Sequence, residues 1–469
     1  MVVGDFAEEK DVIVIGGGPG GYHAAIRAAQ LGREVTLIES KDVGGACLNE
    51  SCVPSKVYTE AASQLKAMKK APQYGLDAVL PERVDFSQLQ EKKHQVVNGS
   101  AKGVHDLLKN YQIEVVEGSA SFLSSTQLGV EKNDAFEKFK FENAVIATGS
   151  SRYWPGEGKM STNRQLCGSE IYQLHEIPGE LLIVGSDYIS LEVAHAFHAL
   201  GTNVTLCIEE KNPLAFDTAV NKELLRLLKK EKIKVHTEVT IQHVNETDTS
   251  IVVDFQSKKG AEQWEGACFY RPGMPRPRTD TLHLEAAGIE VDEQGFIPIN
   301  QAVQTNQSHI FAVGDVTSSP KLAAIALKQG KVAGEVIGGM KSEWDPFAYP
   351  VISRTFQPVA SAGLTKEEAL QEGYAVKEST FPMTGNGYAA IAGEKEGLVK
   401  VVSEAETGVL LGFHSIGPGA VEMISAAVQV LEMGGRVEDA AYPYYPHPSF
   451  NEAWMEAVEG LEEKAIHLR

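Results

Sequence analysis

DVIVIGGGPGGYHAAIRAAQLGREVTLIE, residues 11–39, sets the architecture. Val12 to Ile15 form a β-branched run that reads as a buried strand. Gly16-x-Gly18-x-x-Gly21 follows it and opens a helix through Ala24, Ala25, Ala28 and Leu31. Gly32 ends that helix, and residues 34–39 read as the next strand. Each glycine has a physical task. Gly16 permits the turn, Gly18 lets backbone approach a pyrophosphate, and Gly21 lets helix and strand pack closely. Glu39 closes the second strand, where a carboxylate accepts from a ribose hydroxyl. The pattern predicts a dinucleotide site without telling NAD from FAD.

The plan recurs at residues 181–209, LLIVGSDYISLEVAHAFHALGTNVTLCIE. Two such units predict an α/β protein with two doubly wound, Rossmann-like domains. Between them, KFKFENAVIATG (138–149) reads as strand then turn. Residues 290–316 carry two further strand signals and end in HIFAVGDV. Past about residue 345, strand-like pieces precede an amphipathic helix, AVEMISAAVQVLEMGG. That order predicts an α+β domain with an antiparallel sheet. YPYYPHP then leads into a last helix near Asn451.

Composition narrows the function. The chain has 469 residues, 43 Lys+Arg and 63 Asp+Glu, for a net charge of −20. At roughly 150 residues per domain it holds about three domains. Such an acidic chain repels polyphosphate, which argues against nucleic acid as a partner. No apolar run is long enough to span a membrane, and MVVGDFAEEK lacks a signal pattern, so the expected compartment is the cytoplasm. Five cysteines are too few for a disulfide scaffold.

Two of the five lie close together, in GGACLNESCVPSK (44–56). Pro54 places Cys52 at the start of a helix, where a thiol pKa falls and the thiolate is favoured. A metal site would need two more ligands, so no metal is expected. Cys207 falls within an apolar strand and reads as packing, and Cys167 and Cys268 are scattered. Glu50, between Cys47 and Cys52, should raise a neighbouring thiol pKa by like charge. Far downstream, His447 and Glu452 are five residues apart. A histidine near neutral pKa with an orienting carboxylate suits proton transfer to and from thiols.

GGACLNESCVPSK resembles the redox-disulfide segment of the flavin-dependent pyridine nucleotide–disulfide oxidoreductases. The likeness continues through the glycine loop at 16–21, ATG at 147–149, HIFAVGDV at 309–316, LTKEEALQEGY at 364–374 and HPSFNE at 447–452. Within that family the segments are most similar to the dihydrolipoamide dehydrogenase branch. The resemblance implies an FAD domain (1–149 and 273–345), an inserted NAD-type domain (150–272) and a dimerisation domain (346–469). It implies FAD on Gly16, Gly18, Gly21, Glu39, Lys56, Gly149, Gly314 and Asp315. Cys52 would face the flavin and Cys47 would exchange with substrate. Lys56 would pair with Glu192, while His447 and Glu452 would serve the other subunit of a homodimer. Implied partners are a dihydrolipoamide-type dithiol, a lipoyl-bearing protein and a 2-oxoacid dehydrogenase complex.

The second loop departs from that pattern. Gly185 and Glu209 remain at the NAD turn and ribose positions, but Asp187 replaces the second glycine and Ser190 the third. A carboxylate ~4 Å from a phosphate charge repels it by about 4 kcal/mol at an effective dielectric of 20. Binding would weaken by roughly three powers of ten. Met274-Pro275 stands where the family carries Gly-Arg, and Arg278 where it carries Asn. The thiol half therefore reads as intact and NAD(H) use as questionable. Three readings follow: a dihydrolipoamide dehydrogenase-like enzyme, the same enzyme with another electron partner, or a non-catalytic flavoprotein subunit.

Overall fold

The computed structural model describes residues 7–77, 79–132, 135–154, 164–209 and 216–468. The chain begins with β1 (Glu8–Ile15), α1 (Pro19–Gln30) and β2 (Val35–Glu39). The short α2 (Gly45–Asn49) leads into α3 (Cys52–Lys70) and α4 (Phe86–Asn110). Then come β3 (Glu114–Glu117), β4 (Ser119–Ser124), β5 (Gln127–Lys132) and β6 (Ala135–Ile146). These strands form one sheet in the order β3-β2-β1-β6-β5-β4. β1 lies at its centre, parallel to both neighbours, with Val12 opposite Val35 and Asn143. Val12 to Ile15 are buried on both faces, as a continuous apolar strand in a parallel sheet must be.

The next segment, β7 (Ser150–Tyr153), leaves that sheet. The second unit contains β8 (Gln165–Cys167), β9 (Glu180–Val184), α5 (Tyr188–Ala199), β10 (Asn203–Ile208), α6 (Thr218–Lys230) and β11 (Lys234–Thr237). An antiparallel meander follows: β12 (Thr240–Glu246), β13 (Ile251–Ser257) and β14 (Gly260–Gly266). β15 (Cys268–Arg271) completes a parallel sheet in the order β11-β10-β9-β15-β8. β16 (Met274–Pro277) then pairs antiparallel with β7, so outgoing and returning chains run side by side.

The returning chain adds β17 (Ile310–Ala312) to the first sheet, beside β6, and then α7 (Ala323–Ile337). Of the two strand signals in 290–316, only this one forms a strand. The rest of that stretch makes two isolated bridges, Ile297 to Thr317 and Gln304 to Phe311, and Pro298 beside the first offers no N–H to extend a ladder. Small residues bring α7 against α1. A β-carbon on Gly330 would come within 2.2 Å of the Gly20 carbonyl oxygen.

The C-terminal unit holds β18 (Val351–Ser353), β19 (Val359–Gly363), α8 (Lys366–Gln371), β20 (Val376–Pro382), α9 (Gly387–Ile391), β21 (Leu398–Glu404) and β22 (Leu410–Ile416). Its sheet is antiparallel, in the order β18-β19-β22-β21-β20. α10 (Ala420–Glu432), α11 (Val437–Ala441) and α12 (Glu452–Glu459) follow. α10 and α12 cover the sheet around the buried Trp454. The architecture is α/β with two doubly wound sheets and an α+β C-terminal unit. Among the described residues, no helix is long and apolar enough to cross a membrane.

Candidate active site

The first glycine loop lines a cavity of about 510 Å³ that also reaches Glu39, both paired cysteines, Gly149 and Asp315. Gly16 has φ +102°, and a β-carbon there would meet the Ala147 carbonyl oxygen at 2.5 Å. One on Gly21 would lie 1.8 Å from the Gly16 carbonyl oxygen, so only glycine lets α1 pack so closely. Gly18 is the N-cap of α1, and no side chain caps that helix end. Its amides are left for an anion. The Gly17 amide donates to Glu39 at 2.6 Å, which fixes the carboxylate at the cavity wall. These features fit a dinucleotide such as FAD.

Asp315 follows Gly314 in the cavity wall and accepts from Ser150 Oγ at 3.3 Å. Burial raises its carboxyl pKa, against the pull of Arg152 and Lys321. Those two cations escaped notice in the sequence, since neither belongs to a spaced motif. Tyr188 and Cys167 also line the cavity. Cys167 lies far in sequence from the paired cysteines. The pairing of β8 with β15 brings it to the wall.

Cys47 lies on α2, and Cys52 is the first residue of the nineteen-residue α3. Both thiols are free. They form an asymmetric pair: the hydrogen bond from Cys47 pulls the Cys52 pKa below the ordinary thiol value. Burial opposes that shift, while the Lys56 charge and the Ser51 hydroxyl assist it. The same hydrogen bond, with burial, drives the Cys47 pKa up. Glu50 reaches Lys41 at 3.9 Å, and Asp315 is a carboxylate that acts on both thiols.

Lys56 lies one turn along α3 and donates to Glu192 on α5 at 2.6 Å. Glu192 is buried and also accepts from Ser55 Oγ and from the Arg354 amide. His447 and Glu452 are not in the cavity of their own chain. His447 Nδ1 meets Glu452 Oε1 at 2.7 Å, with the histidine side chain 81% exposed. The Ser449 amide holds the other oxygen of Glu452 at 2.9 Å. Tyr442 and Tyr444, shortly before His447 in the chain, are exposed.

At the second loop, Asp187 is the N-cap of α5, and its carboxylate accepts from the Ser190 amide and hydroxyl, each at 2.8 Å. Ser190 is fully buried. Glu209 forms an ion pair with Arg271. The Arg271 guanidinium stacks on Trp154, 3.6 Å from the ring centroid. Neither Arg271 nor Trp154 carried a signal in the sequence.

A pyridine nucleotide-disulphide oxidoreductase profile matches residues 10–330, and the dimerisation domain of the same family matches residues 349–458. The dihydrolipoyl dehydrogenase of Geobacillus stearothermophilus is 35% identical over 100% of this chain and 99% of its own. That of Thermus scotoductus is 38% identical over 98% of each chain. Among solved structures, LpdA from Mycobacterium tuberculosis superposes with a TM-score of 0.89 at 23% identity, covering 96% of this chain and 99% of its own. Fold, paired thiols, glycine loop and full-length likeness agree, and the chain belongs to the pyridine nucleotide–disulphide oxidoreductases, FAD-dependent enzymes of disulfide exchange.

Proposed function

We propose that this enzyme oxidises a dihydrolipoamide-type dithiol at the Cys47–Cys52 pair, working as a homodimer. One observation carries the reading: the asymmetric thiol pair shares one cavity with the uncapped glycine loop. In the oxidised enzyme, a substrate thiolate attacks Cys47 Sγ. The Cys47–Cys52 bond breaks and Cys52 leaves as thiolate, the better leaving group because its pKa is the lower one. His447 of the partner subunit takes the substrate's proton, and Glu452 orients the imidazole and stabilises its charged form. The second substrate thiolate then attacks the substrate sulfur of the mixed disulfide. Cys47 leaves and regains a proton. The substrate is now a disulfide, and the protein holds two electrons as a dithiol. FAD, held by Gly16, Gly18, Gly21, Glu39, Gly149, Gly314 and Asp315 beside Lys56, supplies a two-electron acceptor at Cys52.

The unit limits at 149/150, 272/273 and 345/346 belong to this reading. So do a cytoplasmic setting and a lipoyl-bearing partner from a 2-oxoacid dehydrogenase complex. Anaerobic titration of the FAD-loaded dimer with dihydrolipoamide tests it. Stoichiometric change in the flavin spectrum, lost in Cys47→Ser, is expected. No spectral change with the native protein would overturn it.

A further inference from the structure

The two glycine-loop positions share a backbone and differ in what they offer a ligand. Gly18 and Asp187 are both extended N-caps, with φ −69° and ψ −178° against φ −77° and ψ 170°. At Gly18 the helix end is uncapped. At Asp187 the carboxylate already takes the Ser190 amide and hydroxyl. The donor a pyrophosphate would use is occupied, and a negative charge stands in the seat.

A second obstruction lies across the sheet. β9 runs between β10 and β15. Glu209 directly follows β10, and Arg271 ends β15. Their ion pair therefore crosses the carboxyl end of β9, just where the Gly185 turn begins. In a doubly wound sheet that crevice is the ligand site. Arg271 is mostly buried there, with its side chain 15% exposed, under the Trp154 ring.

We infer that this crevice is closed from within and rejects NAD(H): Asp187 takes the pyrophosphate seat, and Arg271 engages Glu209 where a ribose would. Arg271 and Asp187 are then the residues that set specificity in this domain. The two obstructions act on different parts of the dinucleotide, so relieving them should give separable gains.

The test measures binding to the FAD-loaded full-length dimer by calorimetry, with NADH and with ADP-ribose, which has no nicotinamide. The native protein should bind both no tighter than about millimolar. Asp187→Gly with Ser190→Ala should tighten ADP-ribose by about a hundredfold or more. Adding Arg271→Val should give about tenfold further. Micromolar NADH binding by the native protein would overturn the inference without any variant. So would a triple variant that binds ADP-ribose no better than native while dihydrolipoamide still reduces its flavin. Full recovery with Arg271 intact would remove Arg271 from the closure. The dithiol proposal fails separately, through absent flavin reduction by dihydrolipoamide, whatever the crevice binds.

Discussion

Lys56 and Glu192 join the thiol helix to the second nucleotide-type unit through a 2.6 Å hydrogen bond. Glu192 is held by three donors, and Lys56 keeps its ammonium near Cys52. The lysine therefore helps hold Cys52 as thiolate. Lys56→Met should raise the Cys52 pKa by about one unit. The sign follows from the depressed native value. Thiolate stabilisation is complete above the ordinary thiol pKa and is lost as pH falls through the lower value of Cys52. Alkylation of the reduced enzyme at a series of pH values reads this directly. An unmoved profile in Lys56→Met would dismiss the lysine's electrostatic role.

His447 and Glu452 lie outside the cavity of their own chain, and the proposed reading has them act across a dimer. His447→Gln should slow flavin reduction by dihydrolipoamide by about 10²–10⁴-fold. Stability should change by less than about 1 kcal/mol, since the histidine is exposed. Mixing the inactive His447→Gln and Cys47→Ser proteins under subunit exchange gives a sharper reading. A mixed dimer has one site with both lesions and one with neither. Activity should reappear in about a quarter of all sites at random pairing. If each chain used its own histidine, no mixture would recover activity.

Gly18 offers a way to build the second loop's obstruction into the first. A β-carbon there has room, with its nearest neighbour at 3.8 Å. Gly18→Ala should therefore fold, and its uncharged methyl, which takes part of the space left for the pyrophosphate, should weaken FAD binding less than a carboxylate does. Gly18→Asp should place a carboxylate over the α1 amides, as Asp187 does over α5, and weaken FAD binding by about three powers of ten. The ratio of flavin to protein absorbance after purification reports this. Equal flavin content in both variants would show that the carboxylate is not what matters at this position.

The fold was legible where chemistry left a periodic trace. The β-branched run at Val12–Ile15, the glycines at 16, 18 and 21, and the helix at 420–432 all read correctly. The second strand expected within 290–316 is reduced to isolated bridges, and Pro298 beside the Ile297 bridge withholds a donor. The thiol pair was visible from spacing. Its asymmetry was legible in direction, since Cys52 stands at a helix start, but not in its main cause, the hydrogen bond from Cys47, which depends on how α2 and α3 lie against each other. Asp187 was conspicuous by type, yet its capping of Ser190 depended on backbone geometry. Arg271 and Trp154 were invisible, since strand order alone brings Glu209 and Arg271 to the same crevice.

Asp217 ties the second unit to the C-terminal sheet. It caps α6 through the Ala219 amide and pairs with Lys400 of β21 at 2.8 Å. Both side chains are almost fully buried, and Lys400 also reaches Glu378 at 2.9 Å. Burial alone would raise the Asp217 pKa, but the Lys400 hydrogen bond, His414 and Lys400 charge outweigh it and hold the carboxyl below its ordinary value. A depressed carboxyl stabilises the fold above its unfolded pKa and loses that contribution as pH falls through the native value. Lys400→Met should cost about 3–5 kcal/mol, because it strands a buried carboxylate. Asp217→Asn with Lys400→Met should recover much of that loss, since no buried charge is then left unpaired. Urea unfolding at neutral pH separates the two. If the double variant were no more stable than Lys400→Met, the cost would lie in packing rather than in the stranded charge.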